Sequence, residues 1–166
     1  MAGVKRFQDL ECHQLAVEIR REVLRLTRRE AVRRDFRFLH QIRDSSRGAP
    51  RNIAEGYSRF NPSEIVPFLT YAKASLDETK NHLVDGQESG HFTESESETV
   101  LSLVGRAIAA ILRWIQYLES PAARAFYARH RDRRRGGHAD GPASVPSKRP
   151  RTKRPAPKNP EPEPRT

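Results

Sequence analysis

The chain has 166 residues, of which 31% are charged and 7% aromatic, with a net charge of +10 and one cysteine, Cys12. That length fits one domain with an appendage, and a single cysteine excludes both an internal disulfide and a cysteine-rich zinc site. No run of about 18 apolar residues occurs, so no membrane span is predicted, and the N-terminus lacks the apolar stretch of a secretory signal; a cytoplasmic protein is expected.

The first predicted helix covers about Leu10 to Arg29. Cys12, Leu15, Ala16, Ile19, Val23 and Leu26 recur at steps of three and four, which puts them on one face. Asp9 is placed to cap it and Phe7 to act as a staple. The second helix covers about Phe36 to Glu55, with Phe38, Leu39, Ile42, Ala49, Ile53 and Ala54 inward. Gly56 is placed to stop it in the left-handed region. Pro50 lacks an N–H for the carbonyl of Ser46, so a kink is expected there. The small residues Ser45, Ser46, Gly48 and Ala49 would let another helix approach closely.

The third helix opens with Asn61 as cap, Pro62 in the first turn and Glu64 behind it. Ile65, Phe68, Leu69, Ala72, Leu76 and Leu83 form its inner stripe, Pro67 should distort its start, and it ends near Gly86 or Gly90. The fourth begins with Thr93 and Glu96, a capping box. Val100, Leu103, Val104, Ala107, Ile111, Ile115 and Leu118 follow on one face. Short connections make consecutive helices antiparallel neighbours. The fold class is therefore all-α: an antiparallel up-and-down four-helix bundle over residues 1–120. Residues 121–166 are basic and proline-rich, with at most a frayed helical turn over 122–131. Such a segment cannot offset its ordering entropy by burial, so a disordered tail is expected.

The charge divides along the chain. Residues 121–166 hold 13 basic and 4 acidic residues, residues 1–60 hold 14 and 8, and residues 61–120 hold 4 and 9. The net positive charge thus belongs mainly to the tail, and the bundle is polarised so that basic helices can pair with acidic ones within or between subunits.

The most specific segment runs from Gln41-Ile42-Arg43 to Pro50-Arg51-Asn52-Ile53-Ala54-Glu55-Gly56. It resembles the signature of the four-helix-bundle family of proteins encoded in intervening sequences of bacterial 23S ribosomal RNA genes. Phe7, Asp9-Leu10-Glu11, Phe68-Leu69 and Ala72-Lys73-Ala74-Ser75-Leu76 are similar to the same pattern, so the likeness covers about residues 5–119. The resemblance implies up-and-down bundles assembled into rings, often pentamers, with no established enzymatic activity. A related bundle, the accessory variability protein of diversity-generating retroelements, is a basic pentamer that contacts nucleic acid. The sequence departs from the pattern at His13, where an aromatic is usual, at Ser45, Ser46 and Gly48, and at Pro67.

Several groups carry candidate chemistry. Within the motif, Pro50, Asn52, Ile53, Ala54, Glu55 and Gly56 are read as structural or assembly residues, with a functional surface as the other reading. Arg43, Arg47 and Arg51 are spaced by four and share a stripe, with Arg59 just beyond. The stripe could track phosphates, or be a solvated face that pairs with acidic residues of a neighbour. No aromatic interleaves it, so base stacking is not indicated there. In the tail, Lys148, Arg149, Arg151, Lys153 and Arg154 form a basic arm for a polyanion, or simply a solubilising segment. Arg34 and His40 stand at a spacing that some helical ribonucleases use, but the chain has 25 arginines, so the signal is poor. Cys12 reads as a small core residue. No catalytic residue, metal or cofactor is assigned. Two readings remain: a non-enzymatic oligomeric bundle that binds RNA or DNA, or a ribonucleoprotein, through basic surfaces and tail; or a protein–protein assembly scaffold without nucleic-acid contact.

Overall fold

The computed structural model describes residues 6–136 except position 60, with side chains described as far as residue 129. These residues form a 3-10 turn at Phe7–Asp9 and six helices: α1 Glu11–Leu26, α2 Glu30–Arg34, α3 Phe36–Tyr57, α4 Pro62–Glu88, α5 Glu94–Glu119 and α6 Pro121–Gly136. No strand occurs among the described residues. The segment from 137 onward, including the basic arm read as part of a tail, lies outside the described residues.

Four long helices pack in a cycle: α1 on α3, α3 on α4, α4 on α5, and α5 on α1. Their contacts show each pair to be antiparallel. Thr27 meets Arg43 at one end of the α1–α3 pair, and Phe7 lies 6.4 Å from Tyr57 at the other. Glu11 pairs with Arg113, and Arg29 with Glu96, along α1 and α5. On α3 and α4, Phe38 sits beside Gly86 and Gly48 beside Ser75. On α4 and α5, Phe92 meets Gly86, while Val66 and Leu118 line one groove. The predicted inner stripes meet in the middle: Ile19, Ile42, Ile53, Leu69, Leu76, Leu83, Ile111 and Leu118 are fully buried.

Local chemistry explains the departures from the predicted elements. The first helix ends at Leu26 and a separate short helix, α2, follows. Thr27 closes the end, its hydroxyl donating to Val23 O at 2.8 Å. Asp9 does not cap α1, because its carboxylate is taken by Arg6 at 3.0 Å within the 3-10 turn; Leu10 holds the cap position without a side-chain bond. Phe7 packs edge-on against His13 at 4.9 Å, so the histidine serves as an aromatic partner.

Gly56 does not stop α3. The helix continues to Tyr57, and among the described residues only Gly90 has positive φ, +73°. Gly56 is needed for space instead: a Cβ there would lie 3.1 Å from Phe68 Cβ on α4. Helix α3 also runs on through Pro50, and the small-residue run does admit α4 closely, with Thr79 Oγ1 hydrogen-bonded to Ser45 Oγ at 3.1 Å. Asn61 stands at the start of α4, but its side chain goes to Glu64 at 3.4 Å rather than to the backbone. The capping box of α5 forms as the sequence indicates, from Thr93 and Glu96.

Residues 121–136, read as the start of the tail, form α6. The helix packs on α5 and α4, with Ala123 fully buried and Tyr127 partly so. Ser120 Oγ accepts from Ala123 N at 3.2 Å and so starts the new helix. Apolar contacts on one side suffice to hold a segment whose composition is otherwise that of a tail.

Candidate nucleic-acid interface

The arginine stripe on α3 separates into residues with different tasks. Arg43 is half-buried and turns to the end of α1, where Nε donates to Thr27 Oγ1 at 2.9 Å and Nη2 to Thr27 O at 3.0 Å. It satisfies a carbonyl that the helix end leaves open. Arg59 is held by Glu55 and lies over the Phe68 ring, 4.9 Å from its centroid. Arg47 is exposed, with only a loose contact of 3.8 Å to Asp44. Arg51 is exposed and has no ion pair among the described residues. Only Arg47 and Arg51 of the stripe therefore face water with charge to spare.

The family-like motif serves mainly packing. Pro50, Ile53 and Gly56 are buried, Asn52 and Ala54 are partly so, and Glu55 is exposed but engaged by Arg59. Close approach of α4 explains the small residues nearby, because a Cβ on Gly48 would fall 2.8 Å from Ser75 Cβ.

The folded chain gathers a second set of arginines that periodicity does not reveal. Arg28 and Arg29 follow α1, Arg33 and Arg34 end α2, and Arg37 stands in the first turn of α3. Arg29 is used by Glu96, and Arg34 faces Glu30 at 3.5 Å. Arg28, Arg33 and Arg37 are exposed without an ion pair among the described residues. The signal is present in the run Arg28 to Arg37, which holds five arginines and two acids, but the run passes from the link after α1 through α2 into α3 and so has no single helical face. Helix α6 adds six basic residues against one acid. A good part of the charge assigned to a tail therefore lies on a helix. Since α1 neighbours α3 and α4 neighbours α5, the net-basic and net-acidic halves of the bundle become two sides, and α6 adds its own basic residues on the α4–α5 side.

The other candidates are chemically quiet. Cys12 is in the core, and burial pushes its thiol up to about 11, which keeps it protonated. Burial lowers the pKa of His13. Arg34 and His40 are both exposed, and no hydrogen bond joins them among the described residues. Asp35 caps α3 by accepting from Phe38 N at 3.0 Å, and that bond, with the neighbouring His91, lowers its pKa. Among the described residues no three His, Cys, Asp or Glu side chains cluster as metal ligands, and no helix is long and apolar enough to cross a membrane. An open groove of about 490 Å³ lies between α6 and the start of α4, lined by Pro62, Val66, Pro67, Leu118, Arg124 and Tyr127 among others.

The family model described as 23S rRNA-intervening sequence protein matches residues 8–113, and the chain belongs to that family. No curated protein matches it.

Proposed function

We propose that this family member is a non-enzymatic, oligomeric four-helix-bundle protein that binds nucleic acid through its basic side. The observation that carries this reading is the separation of charge in space. Arg28, Arg33, Arg37, Arg47 and Arg51 are exposed on α1–α3 and the segments joining them, without close ion pairs among the described residues, while α4 and α5 together carry nine acidic and only four basic residues. Exposed arginines gain affinity for phosphates by releasing counterions, with little demand on sequence. The basic arm at Lys148, Arg149, Arg151, Lys153 and Arg154 would add to the same attraction.

Assembly is the second part of the proposal. Leu101, Gly105, Ile108, Leu112 and Ile115 recur on one side of α5 at steps of four and three; Leu101, Ile108 and Ile115, the last read as part of the inner stripe, are only partly buried at the edge of the core. Leu112 is 47% exposed, and a Cβ at Gly105 would meet nothing within 4 Å. A second copy covering this strip, basic side toward acidic side, would build a ring, pentameric by family resemblance, and present several basic surfaces together. The same strip favours the other reading, a protein–protein scaffold without nucleic acid. Binding of the full-length protein to RNA and DNA strands at low salt decides between them: retention that weakens steeply with salt supports the nucleic-acid reading, and no retention leaves the scaffold.

A further inference from the structure

We propose that Phe36, with Arg33, Arg34 and Arg37 around it, forms a site for single-stranded nucleic acid in which one base stacks on the phenylalanine ring and the arginines hold the flanking phosphates. The inference rests on the nucleic-acid reading above and names where on the basic side the strand lies. Phe36 is 71% exposed, more than any other large apolar side chain among the described residues. It is not left out for want of order. Asp35 fixes the junction through its bond from Phe38 N and its 3.3 Å contact with His91 Nε2, and Phe38 carries the apolar contact of this turn into the core.

The neighbours of Phe36 are unusual for an exposed ring. Arg34 and Arg33 precede it by two and three residues, Arg37 follows it directly, and His40 is one helical turn on. Arg33 and Arg37 have no ion pair among the described residues. The contact of Arg34 with Glu30 is open to water on both sides, 79% and 70% exposed, so a phosphate can replace the carboxylate. An aromatic face set among cations is the arrangement on which unpaired bases stack, whereas a duplex keeps its bases out of reach. The stripe of Arg43, Arg47 and Arg51 offered charge without an aromatic; this corner supplies both.

The test uses full-length protein and four probes: an RNA strand of about a dozen nucleotides, the matching DNA strand, a duplex, and an abasic strand. Wild type is expected to prefer the base-bearing strands. Phe36→Leu keeps an apolar group but no aromatic face, and should weaken those strands by about five- to a hundredfold while leaving the abasic strand and the salt slope unchanged. Phe36→Trp should retain affinity, with indole fluorescence quenched by base-bearing strands only. Arg33→Gln with Arg37→Gln should weaken all strands alike and flatten the salt slope. The site is overturned if Phe36→Leu binds as wild type does, if it weakens the abasic strand equally, or if it changes the mass of the assembly and not the affinity. Wild type that binds no probe at low salt overturns the nucleic-acid reading as well; wild type that binds irrespective of Phe36 overturns the site alone.

Discussion

Arg43 Nη2 donates to the carbonyl of Thr27 at 3.0 Å, so a side chain of α3 closes the C-terminal end of α1. A second bond, from Nε to Thr27 Oγ1 at 2.9 Å, fixes the guanidinium plane. Arg43→Ala should therefore lower unfolding stability by about 1–2 kcal/mol. Arg43→Lys should recover only part, since an ammonium cannot reproduce two donors in one plane. Arg51→Ala, eight residues further along the same stripe, should leave stability within about 0.5 kcal/mol. Denaturant titration of the three variants checks this, and equal losses at the two positions would contradict it.

Gly48 and Ser75 make a second coupled pair. Replacing glycine by alanine in an open helix gains about 1 kcal/mol. Here the new methyl would collide with Ser75, so Gly48→Ala should destabilise by about 1–3 kcal/mol. Ser75→Gly removes both the Cβ and the hydroxyl from that space and should restore much of the loss in the double variant. Ser75→Ala, which keeps the Cβ 2.8 Å from the new methyl, should not. A double-mutant cycle reads the coupling directly.

Glu96 links acid stability to the start of α5. Its carboxylate is bonded first by Arg29 and then by the Thr93 backbone, which lowers its pKa from 4.5 to about 2. A depressed folded-state pKa means that the contribution is complete above the unfolded value and is lost as pH falls through the folded one. Stability from this residue should thus be constant above about pH 5 and decline between about pH 4.5 and 2. Glu96→Gln should lower stability at neutral pH and flatten the profile across that window. Thermal melts of the two proteins over the pH range test the sign.

Helix α6 should behave as part of the fold. Ala123 is fully buried, and Leu118, also fully buried, lines the groove that Tyr127 of α6 shares. A protein cut after residue 120 should be less stable than one cut after 136 by about 1–2 kcal/mol, as expected for exposing part of a leucine-sized apolar surface. Identical melting curves for the two truncations would show that the packing of α6 contributes nothing.

The long helices were legible because each carries an apolar stripe at helical period, from Ile19 and Val23 on α1 to Val104 and Ile111 on α5. The capping box at Thr93 was legible because both partners lie within one turn. What failed depended on contacts between distant segments. Gly56 looked like a stop until Phe68 of α4 was seen against it, and Asp9 looked like a cap until Arg6 claimed its carboxylate. Helix α6 was hidden because its composition outweighs the few positions, Ala123 foremost, that pack. On the candidate interface, spacing placed Arg43, Arg47 and Arg51 on one face, but only the fold shows that Arg43 is occupied at Thr27. The corner at Phe36 needed the fold as well, because its arginines come from two helices, α2 and α3, and only burial shows the ring exposed beside them.

The most direct test of the account is the salt dependence of single-stranded RNA binding by the full-length protein and by its Arg47→Gln, Arg51→Gln variant. Binding at low salt is expected, with log affinity falling linearly with log salt. The double variant, folded as stably as wild type, should lose about 0.7 from the slope for each phosphate contact removed. No binding at low salt, or an affinity that salt leaves unchanged, would contradict it.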